Sequence, residues 1–279
     1  MVCGPTAAGK SALADDLADA LSASRGVRVP TVVVDSVQVY RGLAEISNQA
    51  RRRPAELVGA VPVTERWTVA RHREAARKAV AQAPDFVLDA GTGMYLNAIL
   101  LGVDLAPPVE NAIRVRAQAE TAQAENPRRA ARGRELDLAG SPGRGSIWEG
   151  DLVYRTKVLY VRPPRHVLDR TIEARSAKIS RRGVEEAREV RALMQAGEDV
   201  NPSVLDAVGV KELLDLLAED LTPQLAHERI AARTRRLARR QTRWFDKLAR
   251  TLGNRAGVSV FEVPSDPKIW HTMRDTLGT

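Results

Sequence analysis

An α/β fold, a parallel sheet flanked by helices with a small mainly helical insertion, is predicted by three features of this 279-residue chain. The chain opens with a short apolar stub, a glycine-bounded loop and an amphipathic helix. Two later runs, PTVVVD (residues 30–35) and DFVLD (85–89), are continuously apolar and end in a carboxylate, the pattern of strands buried on both faces. Each run is followed by helical periodicity, and strand–helix alternation implies parallel pairing.

In chain order, Met1–Cys3 reads as a strand stub and Lys10–Leu21 as a helix with Leu13, Leu17 and Leu21 on one face. Only three residues precede Gly4, fewer than the ~5 to 6 of an ordinary strand, so the strand is short or the start lies upstream. Pro30–Asp35 is the next strand, Trp67–Ala83 a helix, Asp85–Asp89 a strand, and Ala90–Gly93 a turn into the apolar helix Met94–Leu101. Residues 102–151 lose this regularity: Pro107-Pro108, a polar Ala/Arg/Glu stretch and the Gly/Pro/Ser-rich Gly140–Gly145 predict a shortened helical excursion with a mobile tail. The core is thus expected to comprise residues 1–101 and 152–265. Leu152–Val161 reads as a strand, His166–Ala196 as helix broken near Gly183, and Val204–Ala218 as one helix. Pro223–Leu252 is the last long helix, and Val258–Val263 a closing strand.

Composition narrows the function classes. No apolar run approaches the ~18 to 20 residues that span a bilayer, and no export leader is visible, so a cytoplasmic protein is expected. Cys3 is the sole cysteine, which excludes an internal disulfide and a cysteine-based zinc site. His72, His166, His227 and His271 are too scattered in sequence for a metal cluster. The net charge of +8 and pI near 10.0 favour polyanionic partners, or reflect an arginine-heavy genome.

The loop Gly4-Pro5-Thr6-Ala7-Ala8-Gly9-Lys10-Ser11 matches G-x-x-x-x-G-K-[ST] in full. Glycines let successive N–H groups turn inward toward anionic oxygens, and the helix beginning at Lys10 adds its positive end. Lys10 supplies a mobile cation and the Ser11 hydroxyl can ligate Mg²⁺. A P-loop NTPase-like core that binds a diphosphate or polyphosphate follows. The loop names no reaction. The guanine-reading N-K-x-D of switch GTPases is missing, and a small-molecule kinase remains a rival.

Four stretches in the right order resemble one family. Gly4–Ser11 is similar to G-P-T-[AG]-x-G-K-[ST], Thr6 included, and Asp35–Gly42 to D-S-x-Q-x-Y-[RK]-G. Gly91-Thr92-Gly93-Met94-Tyr95 resembles G-T-G-L-Y, and Thr234–Trp244 resembles T-R-x-[LY]-[AS]-[KR]-[RK]-Q-x-x-W. These are motifs of the tRNA dimethylallyltransferases, which attach a dimethylallyl group to N6 of the adenosine following the anticodon. The resemblance implies that Asp35 is the general base and that Thr6, Lys10 and the loop amides bind the departing diphosphate with Mg²⁺ held by Ser11. It implies that Ser36, Val37 and Gln38 lie against the target adenine and that Thr92 stands beside the reacting groups. Arg175, the second arginine of Arg170-Thr171-Ile172-Glu173-Ala174-Arg175, matches a diphosphate-binding arginine. Each role has a plainer counterpart: a structural strand-end acid for Asp35, a turn-capping hydroxyl for Thr92, a solvated surface arginine for Arg175.

On a helical wheel centred at Ile230, Leu237, Gln241, Trp244 and Leu248 share one side, and Arg235, Arg236, Arg239, Arg240, Arg243 and Lys247 the other. Arg235, Arg239, Arg240 and Arg243 are therefore candidates for tRNA phosphates, against the plain reading of a solvated face. The implied partners are dimethylallyl diphosphate and a tRNA anticodon stem-loop, with no membrane, and the chain is expected to act as a monomer.

The chain also departs from the pattern. Leu43–Gln49 replaces D-I-G-T-A-K-P, Ala90 replaces the first glycine of G-G-T-G, and Val210 replaces the tyrosine of V-G-Y-[RK]-[QE]. The insertion is short and no zinc finger follows. Three alternatives therefore stay open: the same transfer to free AMP, ADP or ATP, a small-molecule kinase, and an inactive RNA-binding relative.

Overall fold

The computed structural model describes residues 1–106, 109–125, 127–141 and 146–263. Five strands form one sheet: β1 (Val2–Cys3), β2 (Thr31–Val34), β3 (Val87–Ala90), β4 (Thr156–Val161) and β5 (Val258–Val263). The order is β2-β3-β1-β4-β5 and every pairing is parallel, with Val2 opposite both Asp89 and Leu159. β1 has only two residues, yet both are buried and paired on either side, so the phosphate loop leaves from the centre of the sheet. The parallel sheet with flanking helices is the P-loop NTPase-like fold expected from the sequence. Burial pushes the Cys3 thiol up to about 12, against the amino terminus and Lys10, so it is inert.

The helices are α1 (Lys10–Arg25), α2 (Ala44–Ser47), α3 (Val69–Val80), α4 (Gly93–Leu100), α5 (Asn111–Glu120), α6 (Pro127–Leu138), α7 (Arg165–Arg182), α8 (Val184–Gln195), α9 (Pro202–Leu205), α10 (Val210–Leu217) and α11 (Pro223–Gly253). Local chemistry sets several starts. The Thr68 hydroxyl accepts from the Arg71 amide at the head of α3, and Thr222 does the same for Leu225 at α11, where Pro223 occupies the first turn. The single helix expected over 204–218 is two. Gly209 adopts φ 101°, a conformation that side chains resist, and the Glu212 carboxylate accepts from its amide at 2.9 Å and from Arg233 at 2.7 Å. The short α2 carries no periodic signal in the sequence; Glu186 places it by accepting the amides of Glu45 and Ile46.

The aliphatic core has two parts. One lies between α1 and the sheet, with Val2, Ala14, Leu17, Val87, Leu159 and Val263. The other joins the segment after β2 to the helices, with Val39, Tyr40, Leu43, Ile46, Ile179, Val204, Leu213 and Ile230. The loops from the carboxyl ends of β1, β2 and β3 border one cavity, where α/β folds place their sites. His72, on α3, is fully buried: its Nδ1 accepts from Trp67 Nε1 at 3.0 Å and its Nε2 donates to the Val33 carbonyl at 3.1 Å. Burial lowers its pKa to about 4, so it is neutral and structural.

The described residues form two compact units, 1–99 with 154–263, and Leu100–Val153. The smaller unit is built on α5 packed against α6. Arg134 and Arg116 both bond Glu120, and Arg132 bonds Glu135. Most of the mobile tail expected at Gly140–Gly145 lies outside the described residues.

Candidate active site

The loop between β1 and α1 borders a cavity of about 470 Å³ into which Thr6, Ala7, Gly9, Lys10 and Ser11 face. Gly4, Pro5 and Ala8 do not border it: Ala8 packs into the core under α1, and Pro5 faces the opposite side of the loop. Lys10 Nζ donates to the Pro5 carbonyl at 2.7 Å. From α7, Arg175 reaches the same loop and donates to Thr6 Oγ1 at 3.0 Å. Burial lowers the pKa of both cations, while Asp89 and Asp35 act to raise that of Lys10 and Asp35 that of Arg175. Neither makes an ion pair among the described residues. Two half-buried cations, one from α1 and one from α7, thus converge on one loop without an ion pair, an arrangement able to take an anionic ligand.

Asp35 follows β2 and faces the cavity from across the loop. Its Oδ1 accepts the amides of Val37 (2.9 Å) and Gln38 (3.2 Å), which fixes the carboxylate at the strand end. A side chain on Gly91 would bring Cβ within 2.5 Å of Asp35 Oδ2, so glycine there leaves room for the acid. Gln38 also borders the cavity, and its Oε1 is buried without a partner, ready for a donor on a ligand. Val37 joins it on the wall. Ser36 and Thr92 do not border the cavity. They bond each other, with Thr92 Oγ1 accepting the Ser36 amide at 3.1 Å and donating to its hydroxyl at 3.3 Å. Thr92 thereby ties the turn after β3 to the end of β2.

Ser11 is the residue available for Mg²⁺. A magnesium ion takes hard oxygen ligands and commonly few from protein, the rest coming from water and substrate phosphate. A hydroxyl bordering an anion cavity fits that requirement. No cluster of three or more His, Cys, Asp or Glu suited to a metal exists among the described residues.

Sequence reasoning missed three contributors. Gln241 on α11 accepts the Thr6 amide (2.8 Å) and donates to the Gly91 carbonyl (2.8 Å), clamping the phosphate loop to the turn after β3. Its signal was a polar residue on the apolar side of the wheel. Trp244, one turn on, packs so closely over Gly93 that a Cβ there would come within 2.1 Å of its ring. Arg51 is the third. It forms buried ion pairs with Asp15 and Asp89, both at 2.6 Å, on the cavity wall.

The other side of α11 forms a groove of about 840 Å³ with Pro5 and the start of α7. Arg236, Arg239, Arg240 and Arg243 line it, exposed and without an ion pair among the described residues. Arg235 differs: it is half-buried and paired with Glu173 at 2.6 Å, so its charge is already compensated. No described helix is long and apolar enough to cross a membrane.

A family described as IPP transferase matches residues 38–141 and 123–248. A tRNA dimethylallyltransferase of Rubrobacter xylanophilus is 56% identical over 99% of this chain and 97% of its own length. One from Rhodospirillum centenum is 34% identical over 88% and 87%. Among solved structures, the tRNA isopentenylpyrophosphate transferase of Bacillus halodurans superposes with a TM-score of 0.69 at 22% identity, covering 99% of this chain and 94% of that one. A eukaryotic dimethylallyltransferase acting on tRNA gives 0.70 at 18%, covering 99% and 76%. With a cavity that joins a phosphate loop to a strand-end acid, and relatives matched over nearly its full length, this chain belongs to the IPP transferase family.

Proposed function

We propose that this protein transfers a dimethylallyl group from dimethylallyl diphosphate to N6 of the adenosine next to the anticodon in tRNA, releasing diphosphate. The names of its full-length relatives support the reaction. The observation that carries the residue roles is the opposition, across one cavity, of two half-buried cations without an ion pair among the described residues and a fixed carboxylate.

The adenine amine is a poor nucleophile because its lone pair is delocalised into the ring. Asp35 takes the N6 proton as the N6–carbon bond forms, and the carbon–oxygen bond to diphosphate breaks with its electron pair leaving on oxygen. Lys10, Arg175 and the loop amides stabilise the negative charge that develops on the leaving group. Ser11 would hold Mg²⁺, which would supply further neutralisation of the diphosphate when bound. The unpaired Gln38 oxygen accepts from the adenine edge, and Thr92 holds the turn that seats it. The exposed arginines Arg239, Arg240 and Arg243 contact phosphates of the anticodon stem-loop, with Arg235 held back by Glu173. The enzyme works as a monomer in the cytoplasm.

Asp35→Ala tests the assignment. Incubated with dimethylallyl diphosphate and tRNA, the variant loses transfer by about 10²–10⁴-fold, while inorganic pyrophosphate binding stays near wild type. Equal loss of both removes Asp35 from the role of base. Parallel assays with AMP, ADP and ATP decide the acceptor: product on the free nucleotides and none on tRNA overturns the tRNA reading. Release of the ATP γ-phosphate without an allylic donor would replace it with a kinase.

A further inference from the structure

Beside the phosphate cradle lies a charge cluster that the transfer reaction does not use. Arg51 follows α2 and is nearly enclosed, its side chain 5% exposed. Its Nη1 donates to Asp89 on β3 and its Nη2 to Asp15 on α1, each at 2.6 Å, and the two carboxylates are 3% exposed. Nη2 also lies 3.4 Å from the Ser11 carbonyl, and the Arg52 amide bonds the second Asp15 oxygen at 3.2 Å. Burial opposes the Arg51 charge, but Asp89 and Asp15 reverse that and raise its pKa. Arg51 is therefore cationic.

Two carboxylates against one guanidinium leave one negative charge beside the first turn of α1, where Lys10 sits. Asp89 attracts Lys10 more strongly than any other acid, ahead of Asp35. β1 is paired directly with β3 at Asp89, so this carboxylate stands close to the root of the phosphate loop. Were Asp89 free, an ion pair with the half-buried Lys10 would satisfy the buried carboxylate and turn the ammonium away from the ligand. Arg51 already occupies Asp89 Oδ2.

We propose that Arg51 is a positioning residue for Lys10: by holding the Asp89 carboxylate, it prevents that acid from drawing the lysine out of the diphosphate cradle. The inference rests on the reading of Lys10 as a diphosphate ligand and adds what keeps it free. It gives Asp89 an unusual character, because a strand-end acid beside a phosphate loop is here masked by arginine.

The test is calorimetric titration of inorganic pyrophosphate with Mg²⁺ into the full chain. Arg51→Gln is expected to weaken binding by about tenfold or more. The double variant Arg51→Gln/Asp89→Asn is expected to return to within about threefold of wild type, because the competing charge is gone. Asp89→Asn alone binds at least as tightly as wild type. A purely structural bridge, or direct contact of Arg51 with pyrophosphate, leaves the double variant as weak as Arg51→Gln, and that result overturns the proposal. If Arg51→Gln fails to fold by circular dichroism, Asp89→Asn alone decides: weakened binding overturns the inference, and unchanged or tightened binding supports it. Wild-type protein that does not bind pyrophosphate defeats the diphosphate reading as well, whereas wild-type binding without rescue defeats this inference alone.

Discussion

The two sides of α11 use positive charge in opposite ways. On one side Gln241 closes a cavity lined by Lys10 and Arg175, half-buried cations that form no ion pair among the described residues. On the other, Arg236, Arg239, Arg240 and Arg243 stand in solvent along a groove. A buried cation costs free energy until an anion arrives, so its attraction is strong and specific to the ligand that fits. An exposed cation is screened within about 10 Å at moderate salt, so its attraction is weak and insensitive to sequence. The same residue types are thus half-enclosed on one side of α11 and solvated on the other.

Several experiments sharpen that contrast or break it. The largest effect is expected from Lys10→Ala, with kcat/KM for the allylic donor falling by about 10²–10³-fold. Arg175→Ala belongs to the same class, and a loss under about fivefold in both would place the diphosphate elsewhere. Burial also governs His72. Its folded pKa near 4 lies below the usual 6.5, so the unfolded chain takes up the proton first. Stability is full above about 6.5 and declines as pH falls toward 4, by roughly 2 kcal/mol between pH 7 and pH 5 from this residue. Denaturant melts at the two pH values measure it, and His72→Gln should flatten the difference.

Next comes the exposed face. Replacing Arg239, Arg240 and Arg243 together with glutamine is expected to weaken tRNA binding about tenfold near physiological salt and to lower the salt slope by about one per arginine that contacts phosphate. Donor binding should hold, and an unchanged slope would assign this face to solubility. Arg235→Gln should do less than any of these three, because Glu173 already neutralises it. The smallest effect is expected at Ser11→Ala, which raises the Mg²⁺ concentration needed for half-maximal transfer by about threefold, water replacing one protein oxygen. A magnesium requirement unaffected by that change would remove Ser11 as a ligand.

Sequence legibility followed the range of the interactions involved. The strands after residues 30 and 85 were readable because burial on both faces forces an unbroken apolar run, and the break near Gly183 was readable because α7 ends there. The split at Gly209 was not, because apolar spacing continues from Val204 to Leu217 and only the Glu212–Arg233 contact across to α11 shows the interruption. Within the cavity, Lys10 and Ser11 announce themselves through local spacing. Gln241 lies 235 residues from the amide it accepts, and Arg51 stands in a run of three arginines that look alike in sequence.

The glycine-rich loop, the parallel α/β plan and the family are all written in short-range pattern: glycine spacing, apolar runs and ordered motifs. Tertiary structure alone decided which arginines carry usable charge. Arg51, Arg175, Arg235 and Arg239 are equivalent letters in a chain. Folding makes them a buried partner of two acids, a half-buried cation bonded to Thr6, a neutralised pair and a solvated cation. Charge acquires its strength from burial and from its neighbours, and both are set by residues far apart in sequence.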